Sequence, residues 1–533
     1  MIKPIKHIDY SSTHSFSKLA IDYIAKLPIF SDWQAFEPSL DGIDQAIAVR
    51  NDFSIDRTTL VSVLKQQYST YGHDAIQQQI DILQNEQTYT VCTAHQPNLL
   101  TGPIYFLYKI AHTIALANHL NKRYPQKKFI PVYYMGSEDN DWDELAHFNF
   151  NQQTFTWDYP ELKGAFGSAE TKHLTDLLKK ICSFIGPSNA HTDQLKDIIT
   201  KAYTEESNIS NATQSLVHSL FGEYGLLVFN PDDRLVKEKM IPLFENELLE
   251  RKSFGLCQEQ SNKINAYYPT QANPRPINLF YLNENGRNRI EWNNDQYSIV
   301  NTSLTFSQEQ ILKELHTFPE RFSTNVITRG LLQETWLPNI AFIGGGAEIA
   351  YWLQLKPIFN SHNIFYPPLL LRQSYLLINT RQQKKLEQLG LTEESLFNSI
   401  DTLVTNKLKQ QGIDEQHFLK EERQNMQILL DAIAQKAQAI DPTLKDAAAA
   451  TKTKIDKQVE RLQQKMLRAE KRKLQTYQNQ VAQLKAELFP DNQLQERYCN
   501  FLDFYGSNPD LIKNLIEASQ IVNPLFNILQ INN

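Results

Sequence analysis

The chain is poor in cysteine, with only Cys92, Cys182, Cys257 and Cys499 in 533 residues. They lie far apart and form no CxxC pair, which argues against structural zinc and against a disulfide framework. No apolar run approaches the roughly 20 residues that a bilayer span requires. The start, Met1-Ile2-Lys3-Pro4-Ile5-Lys6, leads into polar sequence rather than an apolar signal core. An excess of positive charge is also missing. The net charge of −7 gives no general case for nucleic acid as a partner. Tandem repeats are absent. These absences leave a reduced, soluble, cytoplasmic protein with neither membrane nor nucleic-acid partner as the expectation.

What is present is a globular balance, 41% hydrophobic, in a chain too long for one simple core. Two or three structural units are expected. Residues 1 to about 87 read as polar and mostly helical. Thr88-Tyr89-Thr90-Val91-Cys92 then reads as a buried strand. Leu107, Ile110, Ile114, Ala117 and Leu120 keep helical spacing between Ile104 and Tyr124. Phe129-Ile130-Pro131-Val132-Tyr133-Tyr134-Met135 is a second strand. This is a β-α-β unit, and ligands of such folds gather at the carboxyl ends of the strands. A further short strand is expected at 225–230, followed by a helix that Pro231-Asp232-Asp233 can start. Ala341-Phe342-Ile343-Gly344-Gly345-Gly346 leads into a helix expected from about Ala347 to Phe359.

Two stretches look like inserts in this α/β core. Residues 151–205 are mixed. Residues 265–310 alternate as antiparallel hairpins: Ile277 to Leu282, a turn at Asn285-Gly286, then Arg289 to Trp292. From about 386 the composition shifts to Gln, Lys, Glu, Leu and Ala. Ile455, Val459, Leu462 and Met466 are spaced 4-3-4. The pattern resumes at Leu474, Tyr477, Val481, Leu484 and Leu488, one residue out of phase. Two coiled-coil stretches with a phase break follow from this. The segment 451–488 carries ten basic and four acidic side chains, net +6. A solvated coiled-coil face is the plainer reading of that charge than a phosphate partner. The expected division is a core at 1–385, a helical arm at 386–490, and an apolar helical tail at 491–533 packing back on the body.

Chemistry concentrates at three strand-to-helix junctions. The first is Thr93-Ala94-His95-Gln96-Pro97-Asn98-Leu99-Leu100-Thr101-Gly102-Pro103. Thr101 can cap the helix, and the free N–H groups there attract an anion. His95 suits acid-base work near neutral pH. An ordinary capped helix with a satisfied histidine is the bland alternative. The second junction, Ser137 to Glu144, holds five carboxylates, including Glu138, Asp139 and Asp141. Such a cluster can bind Mg²⁺, orient a cationic amine or act as a base; an acidic helix start is the bland alternative. The third is Gly344-Gly345-Gly346-Ala347-Glu348-Ile349-Ala350-Tyr351-Trp352. Consecutive glycines let the backbone approach a phosphate or carboxylate, and a tight turn explains them equally well. Arg329, Gln333, Lys356 and Arg372 flank it and suit anionic groups.

Five segments in order carry a resemblance: HQPNLLTGPIYFLYK, PVYYMGSEDNDWDE, GGGAEIAYWLQLKP, PPLLLR and LQERYCNFL. Together, over roughly residues 90 to 505, the chain resembles the bacillithiol-biosynthesis cysteine-adding family, BshC. That resemblance implies an α/β fold: a Rossmann-like nucleotidylyltransferase-type core with small connective inserts and a long α-helical coiled-coil arm that mediates homodimerisation. It implies a ligase that joins the cysteine carboxyl to the amine of glucosaminyl-malate as an amide. His95, Gln96, Pro97, Thr101, Gly102 and Pro103 match the family's first loop. Glu138, Asp139 and Asp141 match its acidic loop, where Ser137 and Asn140 stand in place of the frequent glycine and histidine. Gly344, Gly345, Glu348, Tyr351 and Trp352 match the glycine loop, and Arg372 the late arginine. No HxGH or KMSKS-type motif of nucleotidylyltransferases is present.

The expected catalytic groups are therefore His95, Glu138, Asp139 and Asp141. The expected substrate contacts are Gln96, Asn98, Thr101, Gly102, Arg329, Gln333, Gly344, Gly345, Glu348, Tyr351 and Arg372. Amide formation from a carboxylate needs activation, so ATP is the expected energy source, with Mg²⁺ as its usual companion. No metal ligand set is assigned. A non-catalytic, nucleotide-binding dimeric coiled-coil scaffold is the rival reading.

Overall fold

The computed structural model describes residues 3–71, 74–159, 164–283, 286–413, 419–522 and 525–532. Five parallel strands form its centre: β1 (Thr88–His95), β2 (Lys128–Met135), β3 (Leu227–Phe229), β4 (Asn339–Gly344) and β5 (Leu369–Leu371). Their order across the sheet is β5-β4-β1-β2-β3. All eight residues of β1 and all six of β4 are buried. Such two-sided burial explains why these strands read as near-continuous apolar runs rather than alternating ones. Helix α1 (Tyr105–Arg123) crosses from β1 to β2. The chain departs from β1 in opposite directions through the sheet, so a topological switch point lies between the carboxyl ends of β1 and β4. His95 ends β1 and Gly344 ends β4.

Helix α2 (Arg234–Leu249) follows β3, and its cap Asp233 accepts hydrogen bonds from Leu235 N and Val236 N. The insert after it is a five-stranded antiparallel sheet. Leu279–Asn283 pairs with Gly286–Asn293, which pairs with Gln296–Ile299. Asn285 of the expected turn lies outside the described residues. The second turn, Asn294-Asp295, has φ of 50° and 60°, as a two-residue hairpin turn demands. This sheet reaches past 310, because Phe322–Thr324 returns to pair with Leu279–Tyr281. The other insert holds the hairpin His147–Phe150 with Gln153–Thr156 and two helices, Thr175–Phe184 and Ala190–Thr204.

Helix α3 (Arg329–Trp336) precedes β4. The single helix expected over 347–359 is two: α4 (Gly346–Trp352) and Lys356–Ser361. Pro357 explains the break, because it has no N–H to give the carbonyl of Leu353. Gln260 Nε2 takes that carbonyl instead, at 3.3 Å.

The chain divides into two compact units, 1–379 with 493–533, and 380–492. The tail is not wholly helical. After helices within 495–518 it ends in Phe526–Ile531, a strand buried at five of six positions. That strand pairs antiparallel with Lys3–Ile8 and parallel with Tyr375–Asn379. The second unit contains α5 (Lys420–Ile440), α6 (Leu444–Lys473) and α7 (Gln475–Leu488). Ion pairs Arg423–Asp456 and Lys452–Asp431 lie between α5 and α6, which fold as a helical hairpin. Leu474, at φ −88° and ψ 14°, separates α6 from α7. The one-residue break in the sequence pattern is thus a break in the helix.

Candidate active site

A cavity of about 840 Å³ opens at the switch point. Its lining includes His95, Gln96, Lys109, Glu138, Asp139, Glu144, Arg287, Arg329, Gly345, Glu348, Tyr351 and Arg372. That volume suits a ligand of nucleotide or sugar-conjugate size.

His95 is buried at the end of β1, between the rings of Tyr105 and Phe106. Its Nε2 has no partner. Burial, with Lys109 and Arg372 nearby, holds its pKa well below the usual histidine range. The imidazole is therefore neutral at pH 7, and the same burial and cations make it a weak base.

The acidic loop after β2 splits by environment. Glu138 is spent on Lys237, buried on α2, which also donates to Phe322 O at 2.7 Å. A carboxylate so paired is not a free base, contrary to its expected catalytic place. Asp141 is exposed and caps the short helix Trp142–Leu145, accepting from Glu144 N at 3.4 Å. Asp139 faces the cavity. Its Oδ2 accepts from Gln96 Nε2 at 3.1 Å, its Oδ1 accepts from Asn140 N at 2.7 Å, and no cation pairs with it among the described residues. Burial, then Asp141 and Asp139, raise the pKa of neighbouring Glu144.

The cations also divide. Arg372 makes a two-pronged ion pair with buried Glu496, at 3.0 Å and 2.7 Å. Lys109, in the first turns of α1, donates to Ala94 O at 2.6 Å and pairs with Glu348 at 2.5 Å. Arg329 donates to Tyr351 Oη and, at 3.2 Å, to Gln333 Oε1. Arg287 donates to Ser323 Oγ at 3.1 Å and Thr324 O at 2.7 Å, and lies 4.0 Å over the Phe280 ring. Neither Arg329 nor Arg287 has an ion-pair partner among the described residues. They are two of the guanidiniums that the cavity offers to a carboxylate or phosphate; Arg275, Arg289 and Arg497 line it as well.

The first expected phosphate cradle is occupied by the protein itself, and the second in part. Thr101 does not cap α1, whose N-cap is Ile104. Leu100 N donates to Tyr203 Oη, Thr101 N to Asn98 O, Gly102 N to Leu99 O and Ile104 N to Cys499 O. Asn98 and Thr101 are buried and, like Gly102, stand outside the cavity lining. At the glycine loop, Gly345 N donates to Glu348 Oε2 at 2.8 Å, and Gly344 O accepts from Arg372 N. Gln333 is buried behind Arg329. A nucleotide's phosphates would thus fit the arginines rather than the Asn98–Gly102 loop, while Gly346 and Ala347 of the glycine loop still line the cavity. Among the described residues no group of three or more His, Cys, Asp or Glu is placed to hold a metal ion, and no helix is long and apolar enough to cross a membrane.

Comparison with known proteins agrees with this architecture. Residues 4–373 match the family described as "Bacillithiol biosynthesis BshC, N-terminal Rossmann-like domain", and residues 375–531 match "Bacillithiol biosynthesis BshC, C-terminal coiled-coil domain". The chain belongs to the BshC family. It is 37% identical over 532 residues to "Putative cysteine ligase BshC" of Flavobacterium psychrophilum, covering 99% of each chain. It is 38% identical over 536 residues to the protein of the same name from Flavobacterium johnsoniae, covering 99% and 100%. That of Salinibacter ruber is 28% identical over 522 residues, covering 95% and 94%.

In this BshC-family site the sequence reading missed Lys109, Arg287, Lys237 and Glu496. Two carried a signal. Arg287 and Arg289 alternate on one strand, which puts both on one face, and both line the cavity. Lys109 is a lone charge amid the apolar turns of α1, where an unpaired ammonium would be costly. Lys237 and Glu496 gave none, since their partners lie 99 and 124 positions away.

Proposed function

We propose that this protein is a cysteine ligase of bacillithiol biosynthesis. It joins the carboxyl of cysteine to the glucosamine amine of glucosaminyl-malate as an amide, in the cytoplasm, with ATP as the activating co-substrate and Mg²⁺ as its companion. The observation that carries this reading is one cavity that brings together guanidiniums without ion-pair partners among the described residues, Arg329 and Arg287 among them, a carboxylate with no paired cation, and a neutral histidine. Its substrates have the matching parts. Arg329 and Arg287 hold malate carboxylates or a phosphate. Asp139, steadied by Gln96, holds an ammonium group. ATP activates the cysteine carboxyl as a mixed anhydride; the amine attacks that carbon, the acyl C–O bond breaks, and AMP or phosphate leaves. His95 Nε2 takes the proton that the amine must lose as the C–N bond forms.

The arm supports a homodimer. Ile428, Leu429 and Ile433 on α5 and Leu462 on α6 are more than half exposed, an apolar surface that a second arm would cover.

Purified protein with cysteine, glucosaminyl-malate and ATP tests the reading. Bacillithiol should form, with AMP or ADP identifying adenylation or phosphorylation. His95→Ala and Asp139→Asn should each lose at least about 100-fold in rate, the usual worth of acid-base assistance. Full complementation of a bacillithiol-deficient strain by both variants would overturn the site.

A further inference from the structure

Behind Arg329 a buried chain of polar groups leads away from the cavity. Gln333 Oε1 accepts from Arg329 at 3.2 Å, and Gln333 Nε2 donates to Glu334 Oε1 at 2.7 Å. Asn339 Nδ2, at the start of β4, donates to the same Oε1 at 2.9 Å. Gln333, Glu334 and Asn339 are all at most 1% exposed. Two atoms are left over. Glu334 Oε2 and Asn339 Oδ1 are both buried and both without a partner. Each is an acceptor when the carboxyl is ionised, so neither can satisfy the other. A proton on Oε2 changes that. It turns Oε2 into a donor, and the carboxamide already bonded to this carboxyl has an oxygen that lacks one. The carboxyl and the carboxamide, already joined by one N–H···O bond, can then close an O–H···O bond as well.

We propose that Glu334 holds a proton in the folded protein, paired with Asn339, and that this spares Arg329 a further carboxylate charge and leaves it to an anionic substrate. Three charged or titratable groups face Glu334. Arg50 gives its donors to the carbonyls of Asn339, Leu337 and Phe53 rather than to the carboxyl. Arg329 is reached through Gln333, and the carboxylate that acts on its guanidinium from the cavity side is Glu348, itself paired with Lys109. Cys92 on β1 has its own thiol raised by burial. Burial pushes the Glu334 carboxyl up to about 7. An ionised Glu334 would compete with substrate for the charge of Arg329, so anion binding weakens as pH rises through neutrality. Only the identity of the anion rests on the function proposed above.

Glu334→Gln tests both halves, since its NH₂ stands where the acid O–H stood. The folded-state pKa is raised above the unfolded value of about 4.3. The wild type therefore loses stability as pH climbs from there to about 7, and stays lower beyond. The variant has no such loss. Its melting temperature relative to wild type should rise between pH 5 and pH 8. A flat difference, or failure of the variant to fold, overturns the proton. Calorimetry with L-malate reads the coupling: wild-type affinity should fall about fivefold from pH 6 to pH 8, and that of the variant should not. Equal falls overturn the coupling. Failure of malate to bind the wild type at pH 6 overturns Arg329 as a malate site, while the melting curves still decide the proton.

Discussion

Arg329 and Arg372 are alike in sequence, each beside the glycine loop, and unlike in consequence. Arg372 is locked to Glu496. Removing one partner of a buried pair leaves an uncompensated charge and costs about 3–5 kcal/mol. Glu496→Ala should therefore unfold at markedly lower denaturant concentration, with activity lost through the fold. Among the described residues Arg329 has no such partner and hydrogen-bonds to Tyr351 and Gln333. Arg329→Gln should melt close to wild type and still fail to bind the anionic substrate. Melting curves paired with ligand titration separate the two. If Arg329→Gln binds normally, or Glu496→Ala is as stable as wild type, the division of the arginines is wrong. His95 and Asp139 were legible because they sit at strand ends, where the fold puts chemistry. Which charges are already spent was not, because the spending partners lie far away in the chain.

Elements were legible where local pattern dominates. The β-α-β unit, the start of α2 and the break at Leu474 all follow from spacing and capping residues within a few positions. The loop from Asn98 to Ile104 did not, although its sequence reads as a helix start. Leu100, Thr101 and Gly102 have φ of 46°, 69° and 64°. Two non-glycine residues in the left-handed region need outside support. Asn500 provides it, donating to Leu100 O at 2.9 Å and Gly102 O at 2.6 Å. That partner lies some 400 positions on. Asn500→Ala strands two buried carbonyls, at about 1–3 kcal/mol each. Hydrogen exchange should speed up across 98–104 before it does in β1. Unchanged exchange there would show that the loop holds its shape without the tail.

At the scale of the whole molecule, the arm leaves apolar surface that its own hairpin does not use. The sequence seam runs through Ile455, Val459, Leu462 and Met466. Yet Leu462 is 53% exposed and Met466 37%, while their neighbours Gln463 and Leu467 are buried. Ile455 and Val459 are half-buried, so the heptad seam turns outward over its second half, at Leu462 and Met466. Ile428, Leu429 and Ile433 are further exposed apolar side chains, on α5. Monomeric proteins rarely leave such patches open, and a 4-3-4 repeat is what a second helix packs against. A second copy of this arm is the partner this pattern fits. Light scattering on the full chain should give a dimer. Replacing Leu462 and Met466 together by glutamate puts two charges into that seam and should yield a monomer. Both substituted positions are exposed, so the monomer should keep the helical content of wild type. A wild-type monomer at micromolar concentration, or a variant that stays dimeric, would remove the arm as the dimer contact.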